Sequence, residues 1–268
     1  MTDRQTTDEH ILEVRGINKS FPGVQALSDF DFDLLRGEVH CLIGENGAGK
    51  STFIKILSGA YTPTSGEIFI EGVYYPSLST RLVRDLGIQT VYQEDILVPQ
   101  ISAAENIFLG SPRHRRSFRV NYREMKDRAA DLAREYGIDL DVGRPYEELN
   151  PSDQQFTKIL KTLTLYPKVL ILDEPNQVFN VRDTELVIRI VKNICRKGVS
   201  VIYIAHDLDE IIEVADRVTV LRDGIKIRTY NKAEETLDTN SLAKEMVGRP
   251  VELFYKKKKH PIGETVFE

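Results

Sequence analysis

An α/β fold is what the sequence predicts, on three observations. The stretch Gly44-Glu45-Asn46-Gly47-Ala48-Gly49-Lys50-Ser51 follows an apolar run, Val39-His40-Cys41-Leu42-Ile43. It leads into Thr52-Phe53-Ile54-Lys55-Ile56-Leu57, whose apolar residues recur at helical spacing. A second apolar run, Val169-Leu170-Ile171-Leu172, ends in Asp173-Glu174-Pro175, and a third, Val199-Ser200-Val201-Ile202-Tyr203-Ile204, ends in Ala205-His206-Asp207. Strands that finish in polar residues place their chemistry at the carboxyl edge of an open sheet, where such folds bind ligands.

The first stretch is a full match to the P-loop pattern G-x-x-x-x-G-K-[ST]. A glycine-rich turn lets backbone N–H groups converge on an anion, because no Cβ blocks the approach. The helix that follows points its positive end at the same place. Lys50 should then reach the β- and γ-phosphates of a nucleotide, and the Ser51 hydroxyl should ligate Mg²⁺. A chance glycine-rich turn is the bland alternative; strand, loop and helix in this order argue against it.

Composition narrows the function classes. The chain has 268 residues, 41% of them hydrophobic, enough for one large domain or a core with a smaller lobe. Its formal net charge of −5 argues against a dedicated nucleic-acid binder, which is usually basic. Cys41 and Cys195 form no C-x-x-C pair, so a reducing cytosol fits, and both are expected to be buried, inert thiols. No apolar run is long enough to span a bilayer, and residues 1–10 are polar, unlike a secretory signal.

Taken in order, residues 11–15 read as a first strand. Asn18-Lys19 precedes the P-loop and is followed by Ser20-Phe21, which excludes a GTPase Asn-Lys-x-Asp motif. Phe21 could stack on a nucleobase or serve as a core aromatic, and spacing alone favours the latter. Residues 29–35 alternate acid and apolar, a strand with one wet face, and residues 66–72 form another strand between glycine turns. Residues 81–86 read as a short helix and 88–92 as a strand that ends at Gln93. From about residue 95 to 165 strand signals vanish, and 103–108 and 122–136 read as helices of a lobe inserted into the core. Arg113, His114, Arg115, Arg116 and Arg119 make a basic run, read as a solvated loop, with contact to a partner or anionic lipid as the sharper alternative. Asn150-Pro151-Ser152-Asp153 opens the next helix: Asn caps, Pro suits the first helical position and an acid lies in the first turn.

The apolar run into Asp173-Glu174 is a Walker B pattern, with Asp173 placed to hold Mg²⁺ and Glu174 to orient or activate a water. Leu186, Val187, Ile190, Val191 and Ile194 mark an amphipathic helix. His206 shares its sheet edge with the P-loop and the acids, which favours a functional over a structural histidine. Residues 218–221 and 225–227 form a hairpin around Asp223-Gly224. The end of the chain, with Lys256-Lys257-Lys258-Lys259, reads as a linker or solvated tail.

The order of P-loop, Gln93, helical lobe, acids and His206 resembles an ABC transporter ATP-binding subunit, over residues 11–252. Phe21-Pro22-Gly23-Val24-Gln25-Ala26-Leu27, the P-loop through Thr52, Glu105-Asn106-Ile107-Phe108-Leu109-Gly110 and Met246-Val247-Gly248-Arg249 resemble the sugar-importer (ribose/galactose) type. The resemblance implies a P-loop NTPase (RecA-like) α/β core with an antiparallel β subdomain and an inserted α-helical subdomain. It divides the chain into an ATP-binding domain, 1–252, with core 1–94 and 166–252 and helical subdomain 95–165, followed by a tail, 253–268. It implies ATP and Mg²⁺ as ligands. Residues 44–52 would bind the phosphates, Phe21 would stack on adenine, Gln93 would sense Mg²⁺ and water, and His206 would contact the γ-phosphate. It implies as partners a membrane permease whose coupling helix docks on the helical lobe, a second ATP-binding domain and, indirectly, a solute-binding protein, with no nucleic acid. The place implied is cytoplasmic, peripheral on the inner face of the membrane.

The signature segment departs from this pattern. Where the family has Leu-Ser-Gly-Gly-Gln, this chain has Leu149-Asn150-Pro151-Ser152-Asp153. Pro151 lacks an N–H, and Asp153 brings negative charge toward a negative ligand. Gln177-Val178-Phe179-Asn180 also departs from the usual segment after Walker B. These changes predict asymmetry: a competent P-loop side and a poor signature side, completed by a non-identical or tandem partner. The ending Gly263-Glu264-Thr265-Val266-Phe267-Glu268 resembles the start of a second such domain. The alternatives are an ATP-binding regulatory module with little hydrolysis, which the altered signature favours, and a soluble non-transport ABC ATPase, for which the insert is short of heptads.

Overall fold

The computed structural model describes residues 9–92, 97–111, 121–176 and 178–248. Gln93, Gln177, the basic run at 113–119, Arg249 and the tail lie outside them.

Two sheets organise the molecule. β1 (His10–Phe21), β2 (Val24–Leu35), β4 (Ser65–Ile70) and β5 (Val73–Tyr75) make an antiparallel sheet in the order β2-β1-β4-β5. The second sheet contains β3 (Val39–Ile43), β6 (Ile88–Val91), β7 (Val169–Asp173), β8 (Ser200–Ile204), β9 (Arg217–Arg222) and β10 (Ile225–Asn231), in the order β10-β9-β3-β8-β7-β6. Its strands are parallel except β10, which returns antiparallel to β9. Helices follow the strands: α1 (Lys50–Leu57), α2 (Thr80–Asp85), α3 (Ala103–Phe108), α4 (Tyr122–Glu135), α5 (Pro151–Leu163), α6 (Val181–Arg196), α7 (Leu208–Val214) and α8 (Thr239–Val247).

Burial explains the sequence texture. Every residue of β3 and β8 is buried, so these strands read as unbroken apolar runs, as parallel strands covered on both faces do. Successive side chains point to opposite faces of the sheet. Cys41, Leu172, Val201 and Tyr203 therefore join the core shared with α3 to α7, while Leu42, Ile171, Ile202 and Ile204 join the core beneath the antiparallel sheet and α1. Phe53 of α1 meets Phe30 and Phe32 of β2 edge-on, with centroids 5.0 and 5.2 Å away, which seats α1 against that sheet. Ile107, Ala129 and Phe156 share one cluster with Leu170 and Val201, so α3, α4 and α5 join the core on that face of the parallel sheet.

Several elements differ from expectation. β1 runs on to Phe21 because bulges around Gly16, at φ +55°, break the alternation that marks a strand. β10 continues to Asn231, and β5, α7 and α8 add elements beyond those expected from the sequence. Cys195 is half-buried rather than buried; burial still pushes its thiol up to about 12. No helix among the described residues is long and apolar enough to cross a membrane.

One ion pair ties the two sheets. Arg217 of β9 donates to both carboxylate oxygens of Asp33 on β2, at 2.6 and 3.0 Å, and to Glu38 at 3.2 Å. Burial is the largest influence and pushes the Asp33 carboxyl up, but the hydrogen bonds and charge of Arg217, with His40 and His10 nearby, together hold it below its ordinary value. A depressed carboxyl contributes stability above its unfolded pKa and loses it as pH falls through the folded value. Asp33→Asn is thus expected to cost about 1–2 kcal/mol at pH 7. The gap to wild type should begin to narrow at about pH 4 and close only once pH falls below the lowered folded value. Urea unfolding at neutral pH and in acid checks this, and a gap unchanged by acid would contradict it.

Candidate functional site

Three neighbouring strands carry the site at their carboxyl ends. β8 lies between β3 and β7, with Cys41 and Leu172 both in register with Tyr203 and Asp173 opposite Ile204. The turns after β3, β7 and β8 therefore open at one edge, and they carry the P-loop, Asp173-Glu174 and His206.

The P-loop is shaped by close backbone approach. A Cβ on Gly44 would lie 2.2 Å from the Leu221 carbonyl oxygen, and one on Gly49 2.6 Å from that of Ala26. Gly49 also holds φ +112°, which a side chain would oppose. Ala48 O accepts from Gly224 N–H at 2.9 Å, tying the loop to the β9–β10 turn. Glu45, Asn46 and Gly47 at the crest are exposed. α1 begins at Lys50 with no side-chain cap and no acid in its first turn, so its positive end is left for an anion.

Lys50 folds over this loop. Its Nζ donates to Gly44 O at 2.6 Å and Glu45 O at 3.1 Å. Burial pushes its ammonium pKa down, against an upward pull from Glu174 and Asp173. Asp173 shows the converse: burial and the neighbouring Glu174 push its carboxyl up, against Lys50 and His206. These mutual effects place the lysine and both acids within one electrostatic neighbourhood. Ser51, exposed in the first turn of α1, completes the polar set, and Thr52 beside it is half-buried.

Glu174 holds φ +49°, the left-handed region that residues other than glycine seldom adopt. Its N–H donates to Ile204 O at 2.9 Å, and its Oε1 pairs with His206 Nε2. The strained turn thus faces the Walker B glutamate toward the histidine of the next strand.

A magnesium–triphosphate fits these residues. Among the described residues no cluster of three or more His, Cys, Asp or Glu could hold a metal alone. Mg²⁺ suits one or two protein oxygens plus phosphates and water, and Ser51 and Asp173 are the residues that would supply them. Gly44 and Gly49 let the loop pack hard against the backbone of Leu221 and Ala26, while Gly47 at the crest faces open space.

The other expected residues stand as follows. Phe21 is half-buried, edge-on to Tyr61 at 5.4 Å with Lys19 Nζ 5.0 Å from its ring. It ends β1 in a hairpin whose returning strand touches the P-loop through Ala26 and Leu27. Leu149 is buried, and the signature positions lie at the start of α5. Asn150 Oδ1 accepts the Asp153 N–H at 2.9 Å, and Asn150 Nδ2 donates to Asp153 Oδ2 at 2.8 Å. Ser152 Oγ donates to Val178 O at 3.4 Å. Burial pushes the Asp153 carboxyl up, Asn150 opposes it, and Asp183 and Asp139 add to the rise. The first turn of α5 is therefore capped from within. Asn180 and Asp183 close α6 in the same way, at 3.0 and 2.9 Å. Sequence reasoning missed Asn176, Tyr203 and Glu210, which hydrogen-bond to one another beside Glu174 and His206. Nearness in sequence to the two site residues was the only available signal.

The sequence profile of the family described as ABC transporter matches residues 27–177. The ribose import ATP-binding protein RbsA 1 of Rubrobacter xylanophilus is 45% identical over 259 residues, which cover 96% of this chain and 51% of that protein. The galactofuranose transporter ATP-binding protein YtfR of Escherichia coli K12 is 41% identical over 249 residues, 92% of this chain and 49% of that protein. The chain spans about half the length of the curated relatives it matches. A solved structure, the ADP conformation of MJ1267, an ATP-binding cassette of an ABC transporter, has a TM-score of 0.77 at 22% identity, over 90% of this chain and 99% of that one, a likeness of fold.

The internal cap makes one expectation. Asn150→Ala should destabilise the protein by about 1 kcal/mol, the usual cost of a lost helix cap. Chemical unfolding checks it, and an unchanged midpoint would mean that the cap is not formed in solution.

Proposed function

The chain belongs to the ABC transporter ATP-binding family, and from that premise we propose that it binds Mg-ATP, hydrolyses it and powers import of a sugar through a membrane permease. The observation that carries this reading is the convergence of Lys50, Asp173, Glu174 and His206 at one sheet edge. The backbone N–H groups of 44–52 and the Lys50 ammonium bind the β- and γ-phosphates. Ser51 and Asp173 hold the Mg²⁺, whose charge offsets that on the phosphate oxygens. Glu174 orients the attacking water and takes its proton, while His206 contacts the γ-phosphate and holds Glu174 in place. Phe21 stacks on adenine, and Gln93 links the nucleotide to the helical lobe.

We assign residues 95–165 to the lobe, 1–94 and 166–252 to the core, and 253–268 to a tail. The groove between lobe and core is the proposed seat of the permease's coupling helix. It holds about 580 Å³ and is lined by Phe108, Arg128, Leu132 and Tyr136 on the lobe side and Ile194 and Lys197 on the core side. In this reading the chain works at the inner face of the membrane, and a solute-binding protein acts through the permease.

A phosphate on the signature end of α5 would meet a missing N–H at Pro151, an N–H at Asp153 already used by Asn150, and the Asp153 carboxylate. The self-cap supports an asymmetric pair. This chain's P-loop is completed by a second ATP-binding domain with an intact signature, non-identical or in tandem. The same feature favours a second reading, an ATP-binding regulatory module with little hydrolysis.

Two measurements separate these. Lys50→Ala is expected to weaken Mg-ATP binding at least about tenfold, the loss of a charge-assisted hydrogen bond; unchanged affinity would sink both readings. Glu174→Gln, in the natural assembly, should abolish single-turnover hydrolysis and trap bound ATP. A wild-type assembly that binds ATP without hydrolysing it would leave only the regulatory module.

A further inference from the structure

Three polar side chains with no part in the proposed chemistry meet beside Glu174 and His206. Asn176 lies two residues after Glu174, Tyr203 three before His206 and Glu210 four after it. Tyr203 is fully buried on β8, in the core it shares with Ile188 of α6 and Ile211 of α7. Its hydroxyl donates to Glu210 Oε1 and accepts from Asn176 Nδ2 at 3.0 Å. Glu210, in the first turn of α7, is 7% exposed. Asn176 Oδ1 is buried and has no hydrogen-bond partner among the described residues. The Tyr203 hydroxyl is therefore the hub that ties the turn after β7 to the helix after β8.

We propose that Tyr203 is a positioning residue, whose hydroxyl, held between Asn176 and Glu210, fixes Glu174 against His206. The inference rests on the reading above that this pair acts on ATP. The physical need is visible in the backbone. Glu174 keeps a left-handed conformation, which persists only where its surroundings hold it. Its N–H is anchored to Ile204 on β8, but Pro175, Asn176, Val178 and Phe179, between β7 and α6, lie outside any sheet. The Asn176 side chain supplies a second anchor to the same strand. Glu210 supplies the matching one on the histidine side, since Asp207, the cap of α7, adjoins His206 and accepts from the Glu210 N–H at 3.3 Å. A buried tyrosine needs a partner for its hydroxyl in any core, so the test needs a readout that packing alone would not move.

The test compares Tyr203→Phe, Glu210→Gln and Glu210→Ala in the natural assembly. Tyr203→Phe keeps the ring and loses the hub. It should lower kcat for Mg-ATP about tenfold while KM stays within about twofold, because phosphate binding lies with the P-loop. Glu210→Gln retains an acceptor for the hydroxyl and should keep most of kcat; Glu210→Ala should match Tyr203→Phe. A second arm does not depend on turnover. In the nucleotide-free protein, Tyr203→Phe should speed hydrogen exchange of amides in 174–178 and 205–208 together, about tenfold, with β7 and β8 still protected. An unchanged kcat in an active assembly, or exchange unchanged in either turn, overturns the proposal. A wild-type assembly without ATPase activity counts against the reading of the site and leaves the exchange arm to decide the clamp.

Discussion

The P-loop is held by backbone against backbone. Gly44 lies against the Leu221 carbonyl of β9, and Gly49 against the Ala26 carbonyl of β2. One strand belongs to the parallel sheet and the other to the antiparallel sheet. The turn that joins β9 to β10 completes the knot, with Gly224 N–H on Ala48 O and Gly224 O accepting from Ser28 N–H at 2.8 Å. The two sheets therefore meet at the anion cradle, and its shape depends on both. The ion pair between Asp33 and Arg217 fastens the same junction from another side.

Much of this was legible in the sequence because parallel strands covered on both faces leave unbroken apolar runs. β3, β7 and β8 appeared as such runs, each ending in the residues that carry the chemistry. The cap at Asn150 with Pro151 was equally legible, since capping is local chemistry. What escaped was either irregular or long-range. β1 bends through bulges at Gly16, so its second half lost the period. Tyr203 looked like one more core residue of β8, because nothing local marks a hydroxyl that finds partners from two other segments. The approach of Gly44 to Leu221 likewise links residues far apart in the chain.

The two helix ends near the site differ in their electrostatics. α1 starts without a side-chain cap or an acid, so its dipole is left for a ligand. α5 starts with Asn150 and Asp153 satisfying each other, and with Asp139 and Asp183 near enough to raise the Asp153 carboxyl. One end is left without a side-chain partner, and the other is satisfied from within. This contrast between the two helix ends is what the proposed asymmetric pairing rests on.

Backbone amide shifts on addition of Mg-ATP to the isotope-labelled protein test the central claim most directly. The account predicts large changes at Gly47, Gly49, Lys50 and Ser51, with the amides of 150–153 unmoved. Changes centred on 150–153, or none across 44–51, would contradict it.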